Sequence, residues 1–315
     1  MTAPRRCLPG RADDLPRNPP GGFVRTLQLA TPPPAARQAA ADRVFSRIVL
    51  AIDFGPASLG AARWATAHVA ARADAVLMHV TPRNDKLSCA DAHRGAGDEA
   101  LGGATRALAG GLGGFAATLD VSSTREIVHF GRPSSCLAAV TNDMEASLLV
   151  LGRRAAANRV RVGEPNVIER VTRRTTASVL VVPEGTTCAP DQVVAAVDES
   201  RFAPLVLRVA NRLARLCEVP LTVLHVLSPV MGAYDRIIRT AKQLGGAHHV
   251  TGPDSTELAT GDPAREIVRV ATQSDGAIVV MGMRGADEAP AGSIGSVARE
   301  LLTRAPVAVL AVNTV

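Results

Sequence analysis

The chain has 315 residues, of which 47% are hydrophobic and 20% charged, a composition typical of a globular protein and not of a disordered one. Its formal net charge of +6 is concentrated at the start, since residues 1–47 hold eight Arg and three Asp and leave the rest close to neutral. With no basic face on the folded part and only eight aromatic residues, we expect no nucleic-acid binding. No run of about 18 apolar residues occurs, so we expect no membrane-spanning helix.

After a leader, short β-rich runs alternate with helical stretches. Residues 1–44 are rich in Pro, Arg and Ala without a sustained period, and we predict that they are disordered. The next elements are, in chain order, a strand at Ile48–Asp53, a helix at Pro56–Arg72, a strand at Ala75–Val80, a glycine-rich region, a strand in REIVHFG, a helix from Pro133, a strand at Ser147–Gly152, a loop and a helix, and a strand in SVLVVP. This alternation favours βαβ units and a parallel sheet that is buried on both faces.

The same order of elements then repeats, which indicates an internal duplication. VVAAVD matches IVLAID, LTVLHV matches AVLMHV, and AIVVMG matches LLVLG. Over the last part of the repeat the offset is a constant 130 residues, which relates Gly152 to Gly282. We therefore predict two domains of one α/β fold, at 45–186 and 190–315.

A glycine-rich loop, GMRGADEAPAGSIGS, leaves an apolar strand of the second domain and precedes the helical stretch VARELLTRA. Ligands of open parallel sheets bind beyond the carboxyl ends of the strands, where such a loop lies. Glycines let backbone N–H groups approach phosphate oxygens, and a helix beginning near Ser296 offers N–H donors and a favourable dipole for an anion. Ser296 is suited both to cap this helix and to donate to a phosphate. A mobile surface connection is the alternative interpretation of the loop.

Gly282, Gly285, Gly295 and Ser296 follow the spacing Gly, two residues, Gly, nine residues, Gly, Ser. With this loop, and with first strands that end in Asp, the chain from residue 45 onward resembles tandem universal stress protein domains. The resemblance implies two tandem Rossmann-like (adenine-nucleotide α-hydrolase-like) domains, each a mostly parallel five-stranded sheet flanked by helices. It also implies a stress-response regulator that binds ATP.

The resemblance further implies where the nucleotide lies in the second domain. Asp198 would hold the nucleoside end through ribose or base, and the backbone around Val226 would meet adenine. The loop would hold the phosphates, and Mg²⁺ would be held through those phosphates if it binds. The other lining residues implied are Met281, Arg284, Val297 and Ala298. The residues leave two alternatives open, in which Asp198 only caps a helix and Arg284 is only solvated.

The first domain departs from the pattern. Its residues at the positions of Gly285, Gly295 and Ser296 are Ala155, Pro165 and Asn166. Proline has no N–H for a phosphate and cannot take a positive φ. We therefore expect this domain to bind ATP weakly or not at all, with Asp53 as a relic or a cap. Four arginines between positions 153 and 161 leave anion binding in another geometry open.

Motifs of efficient catalysis are missing. The GxxxxGK[ST] loop of nucleotide hydrolases is absent and neither of the two lysines, Lys86 and Lys242, follows a comparable loop. GxGxxG after a strand and GxSxG are absent as well. With no residue pattern that specifies a general base, we expect at most slow ATP hydrolysis, or the autophosphorylation known in the family, at Ser293 or Ser296.

The histidines and cysteines are expected to be structural. His79 and His225 occupy matching strand positions, so we predict strand residues and no metal site. The five cysteines show no zinc spacing, and their odd number favours free thiols in a reducing cytosol.

These observations predict a cytoplasmic, bacterial ATP-binding regulator with one competent site and an unknown protein partner. The final strands, SVLVV and AVLAV, are the expected junction of an intramolecular pseudo-dimer, and a homodimer is a further option. Two alternatives stay open: a scaffold that acts without nucleotide, and a slow ATPase.

Overall fold

The structure is a computed structural model that describes residues 25–26, 44–81, 96–154, 166–227, 254–284 and 293–313. The strands in this part of the chain are β1 Arg25–Thr26, β2 Arg47–Ala51, β3 Asp74–Thr81, β4 Ser123–Phe130, β5 Leu148–Arg153, β6 Ser178–Pro183, β7 Gln192–Val197, β8 Leu221–Leu227, β9 Ser255–Thr260, β10 Ala277–Gly282 and β11 Ala308–Val312. The helices are α1 Pro56–His68, α2 Ala96–Ala116, α3 Pro133–Asp143, α4 Val167–Thr172, α5 Ala203–Cys217, α6 Pro263–Ala271 and α7 Ser296–Arg304.

The strands form one sheet in the order β1-β4-β3-β2-β5-β6-β11-β10-β7-β8-β9. Strands β2 to β6, the first half, are parallel to one another, and so are strands β7 to β11, the second half. The two halves meet where β6 pairs antiparallel with β11, with Leu180 opposite Leu310. The predicted α/β class with two tandem five-stranded parallel sheets is confirmed, and the strands that join the halves are the expected ones.

The core consists of two layers of side chains, one on each face of the sheet. Alternate residues of β2 face opposite ways: Ile48 and Leu50 belong to one hydrophobic cluster and Val49 to the other. The first cluster holds side chains of α1, α2 and α5, and the second holds those of α3, α4, α6 and α7. Burial on both faces explains why the strands read as continuous apolar runs. None of the described helices has the length and hydropathy needed to cross a membrane.

Polar contacts also join the two halves. The Trp64 indole N–H in α1 donates to the Cys188 carbonyl at 2.8 Å. The guanidinium of Arg153, at the end of β5, donates to the Thr303 carbonyl at 3.0 Å and to the carbonyl of Ala305. Because these carbonyls lie at the C-terminal end of α7, a cation of the first half satisfies the end of a helix of the second half.

Three regions differ from the sequence-based expectation. Helix α1 ends at His68 and not at Arg72. The N–H groups of Val69 and Ala70 both donate to the Ala65 carbonyl, which closes the helix, and Arg72 has a φ of 57°. Helix α2 occupies the glycine-rich region for which we predicted no element, and Gly113 within it has open space around it. In the leader that we predicted to be disordered, Arg25–Thr26 pairs antiparallel with β4 and covers that sheet edge.

The cysteines in the described part of the chain, Cys136, Cys188 and Cys217, are free thiols, as expected. Burial raises the pKa of the Cys217 thiol to about 11 and also raises the pKa of Cys136. Both thiols are therefore protonated at neutral pH, which makes them poor nucleophiles.

A glycine at the end of β5 is required by close packing. A Cβ added to Gly152 would lie 2.2 Å from the carbonyl oxygen of Ala57 in α1, whereas a Cβ added to Gly60 in the same helix would meet nothing within 4 Å. We expect Gly152→Ala to lower the free energy of unfolding by about 1–3 kcal/mol through overpacking. Gly60→Ala, the control, should raise it by about 0.5–1 kcal/mol. Urea unfolding at pH 7 measures both, and an unchanged Gly152→Ala protein would contradict the close approach.

Candidate functional site

The candidate site lies where the chain changes direction across the second half of the sheet. Strands β7 and β10 are neighbours, and the strands that follow them, β8 and β11, lie on opposite sides of this pair. Open parallel sheets bind ligands at the carboxyl edge of such a switch point. Asp198 directly follows β7 and Gly282 ends β10, so the structure brings two predicted residues to this edge.

A third predicted residue lies at the same edge. Val197 is opposite His225 in the register of β7 and β8, so Asp198 and Val226 come next along the two strands. The Val226 side chain is half-buried and packs against the core. Val226 therefore lies at this edge of the sheet with its side chain against the core.

The residue before α7 offers no side-chain cap. It is Gly295, and among the described residues no side-chain cap hydrogen bond is present at this N-terminus. The first helical hydrogen bond runs from the Arg299 N–H to the Gly295 carbonyl at 2.9 Å. The N–H groups of residues 296–298 therefore have no partner within the helix, which is the arrangement that binds anions.

Gly295 connects the loop to α7 and has a φ of −61°. Its N–H donates to the Met283 carbonyl at 2.9 Å, which fixes the start of α7 to the end of β10 and leaves no hydrogen for a phosphate. Ser296 is the first residue of the helix and not its cap. The donors available to an anion are therefore the N–H groups of the first helical turn.

The remaining predicted residues fall into three groups. Met281 and Ala298 are buried in the core, so only their backbone can reach a ligand. Val297 is half-buried, and Ser296 is exposed. Gly285 lies outside the described residues.

In the first half, the corresponding helix end is already satisfied. The Asn166 side chain caps α4 by accepting the Glu169 N–H at 2.8 Å. Asn166 lies 130 residues before Ser296, so the sequence difference between the two loops changes a self-capped helix into an uncapped one. An anion at α4 would have to displace this asparagine.

The carboxylate of the first half is also occupied. Asp53 accepts a hydrogen bond from the Ser58 hydroxyl at 2.5 Å and one from the Gly55 N–H at 2.9 Å. Its other oxygen lies 2.8 Å from the guanidinium of Arg154. Partial burial acts to raise the pKa of Asp53, but the Ser58 and Gly55 hydrogen bonds and the Arg154 charge outweigh it, so the pKa is lowered below 3.8. An ion pair thus spans the switch point of the first half.

The same positions differ in the second half. Arg284 lies 130 residues after Arg154, but its guanidinium lies over the Phe202 ring, 5.9 Å from the centroid. The Arg201 guanidinium is 4.9 Å from the centroid of that ring. Asp198 accepts the Ser200 N–H at 3.0 Å, and within the described ranges no cation forms an ion pair with it. Its carboxylate is therefore available for a ligand.

Sequence reasoning did not find Phe202 and Arg201. Phe202 directly precedes α5 and is half-buried beside the switch point. The chain has only six Phe, so an aromatic residue directly before a helix could have been noticed in the sequence. Its role could not be predicted, because that role depends on which side chains lie over the ring.

The matching histidines have a structural role. Nδ1 of His79 hydrogen-bonds the Ile52 carbonyl at 2.7 Å, and Nδ1 of His225 hydrogen-bonds the Val197 carbonyl at 2.8 Å. Both bonds tie the end of the first strand of a half to its neighbour. Among the described residues, no group of three or more His, Cys, Asp or Glu could hold a metal ion.

Comparisons with known proteins agree with this fold. The model of the universal stress protein family matches residues 45–183 and 238–313. A universal stress protein from Archaeoglobus fulgidus DSM 4304 is similar with a TM-score of 0.62 and 19% identity, over 85% of this chain and 98% of that chain. A functionally unknown protein from Pseudomonas aeruginosa PAO1 is similar with a TM-score of 0.55 and 16% identity, over 87% of this chain and 94% of that one.

One similar structure was solved with a bound ligand. A universal stress protein solved in complex with cAMP is similar over 45% of this chain and 99% of that chain, with a TM-score of 0.31 and 21% identity. The search of curated proteins gave no match.

The Asp53–Arg154 ion pair predicts a pH-dependent effect. Because the pKa of Asp53 is lowered in the folded state, its carboxylate stabilises the protein above pH 3.8, and this contribution is lost as pH falls through the folded-state pKa. We expect Asp53→Asn to lower the free energy of unfolding at pH 7 by less than about 1 kcal/mol, since the pair is half-exposed.

Urea unfolding of both proteins between pH 7 and pH 3 measures this difference, which should shrink below pH 3.8. Arg154→Gln is the matched control and should add little destabilisation in the Asp53→Asn protein. A difference that is constant with pH would contradict the role of the ionised carboxylate.

Proposed function

Because the family model matches more than half of its length, the chain belongs to the universal stress protein family, and we propose that it is a stress-response regulator that binds one ATP in its second half. The proposal includes the division into a leader at 1–44 and domains at 45–186 and 190–315. It also includes a cytoplasmic location and a protein partner whose identity the residues do not specify.

One observation carries the proposal: the uncapped N-terminus of α7 lies beside a carboxylate that has no cation partner in the described ranges. The N–H groups of residues 296–298 and the helix dipole suit the phosphates. The Asp198 carboxylate accepts hydrogen bonds, which suits ribose hydroxyl groups. A ligand with an anionic end and a hydroxyl-bearing end satisfies both groups at once.

The chemistry of the two helix ends supports a nucleotide in the second half alone. Asn166 supplies to α4 the oxygen that a phosphate would supply to α7. The described residues offer no cluster of three metal ligands, so Mg²⁺ would be held by the phosphates rather than by a protein cage.

Helix α7 also provides a route from the nucleotide to a surface. Its N-terminus lies at the site, and its C-terminal carbonyls accept from Arg153 of the other half. A cavity of about 370 Å³ lies between α6 and α7, and its lining includes Val268, Leu301 and Arg304. Nucleotide that shifts α7 would change the shape of this surface, which is the change that a protein partner would sense.

A scaffold function is supported for the first half by a separate observation. Its switch point is closed by the ion pair of Asp53 with Arg154, and its helix α4 is capped by Asn166. A half closed in this way would not bind a nucleotide, but it offers a sheet edge and helices that a protein partner could contact. ATP hydrolysis in the second half would be slow, since no residue pattern specifies a general base for the attacking water.

The proposal is tested by transferring the asparagine cap. We expect wild-type protein to bind ATP and Gly295→Asn to bind it at least about tenfold more weakly, a loss of about 1.4 kcal/mol, because Gly295 is the N-cap of α7 and the new side chain would occupy the α7 donors. Isothermal titration calorimetry with ATP and Mg²⁺ measures both affinities. Asn166→Ser is the matched control and should leave the ATP affinity unchanged. Absence of ATP binding to the wild type would refute the proposal.

A further inference from the structure

The residue that precedes the first helix of each half differs between the halves. Gly55 directly precedes α1 in the first half, and Phe202 directly precedes α5 in the second. Both residues follow the aspartate at the end of a central strand, Asp53 or Asp198. They therefore lie beside the two switch points. At these places Arg154 forms an ion pair with an aspartate, whereas Arg284 lies over an aromatic ring.

The ion pair of the first half lies close to a glycine. A Cβ added to Gly55 would lie 2.9 Å from Oδ1 of Asp53 and 3.3 Å from Nη2 of Arg154. Both contacts are closer than ordinary van der Waals distance, so a side chain here would push the carboxylate and the guanidinium apart. The absence of a side chain at Gly55 leaves room for Arg154 to close this switch point.

In the second half the helix begins two residues further from the aspartate. Ser200 donates its N–H to Asp198 as Gly55 does to Asp53, and Phe202, which precedes the helix, contacts the arginine. The Arg284 guanidinium lies 5.9 Å from the centre of the Phe202 ring, within the range of a cation–π interaction. Arg201, at 4.9 Å from the same centre, adds a second positive charge beside the ring. Arg284 is thus held at an aromatic face, while the Asp198 carboxylate has only the Ser200 N–H as a described partner.

We propose that Phe202 is a positioning residue that keeps Arg284 off Asp198 and so keeps the switch point of the second half available to nucleotide. The proposal rests on the proposed ATP site and deepens it. With Phe202 in place, Asp198 remains free for the ribose, and Arg201 and Arg284 remain at the edge of the site for the phosphates. Without it, Arg284 would pair with Asp198 as Arg154 does with Asp53.

The test compares ATP with adenosine, which lacks phosphates and reports on the Asp198 end alone. We expect Phe202→Gly to weaken both ligands at least about tenfold, because Arg284 then pairs with Asp198. Phe202→Tyr keeps the ring and should bind both ligands like wild type. Arg284→Gln should weaken ATP but not adenosine, since it removes a charge that only phosphates sense.

The double variant Phe202→Gly/Arg284→Gln separates this role from a structural one. If Phe202 acts through Arg284, removing the arginine should restore adenosine affinity to within about twofold of wild type. Adenosine binding that stays weak in the double variant, or that is unchanged in Phe202→Gly, would overturn the role of Phe202 and leave the ATP site intact. Loss of ATP binding in the wild type would instead remove the proposed site itself.

A reciprocal change in the first half tests the same constraint if Phe202→Gly does not fold. Gly55→Phe should separate Asp53 from Arg154, so that Arg154→Gln no longer changes stability in that background. Urea unfolding of the four proteins in this cycle measures the coupling. A coupling between Gly55 and Arg154 of zero would overturn the proposal, since it would mean that the residue before the helix does not control the arginine.

Discussion

The antiparallel pairing of β6 with β11 holds the two halves in one sheet, and the other contacts between the halves depend on it. It places Val179 opposite Ala311 and buries two strand edges that would otherwise be exposed. With this register fixed, the side chain of Arg153 reaches the C-terminal end of α7. Helix α7 of the second half is therefore supported by a residue of the first.

On this shared framework, a few substitutions give the two switch points opposite states. In the first half, Gly55 permits an ion pair across the edge of the sheet and Asn166 satisfies the helix end. In the second half, Phe202 holds the corresponding arginine, and the helix that begins at Ser296 has no side-chain cap. Duplication of one fold has thus produced a closed half and a half that is suited to a ligand.

The fold could be predicted because strands buried on both faces must be almost wholly apolar, and this pattern recurs at a constant spacing. Helix α2 was missed because glycines such as Gly113 lower helix propensity, although neighbouring residues such as Leu112 pack into the core and stabilise the helix. The expectation that Ser296 caps α7 was wrong because the helix begins one residue earlier than expected, with Gly295 as its N-cap and the Gly295 N–H bonded to Met283 of the segment after β10.

The candidate site was predictable only in outline. The aspartate after a central strand and the glycine-rich loop indicate the edge of the sheet, because each directly follows an apolar run and so marks the end of a strand. Whether an arginine pairs with that aspartate depends on a contact between residues about 100 positions apart, such as Asp53 with Arg154. We expected Asp53 to be a relic or a cap, but its bond to the Gly55 N–H lies before the helix, and the ion pair with Arg154 was not foreseen.

The most direct test of the account is the number of ATP molecules bound by one chain. Native mass spectrometry of the full-length protein counts the bound ATP molecules without any mutation. The protein is measured with ATP in excess and at several lower ATP concentrations. The account predicts one ATP per chain at saturation. Two ATP molecules per chain would show that the first half is not closed, and none would show that the uncapped end of α7 is not a nucleotide site.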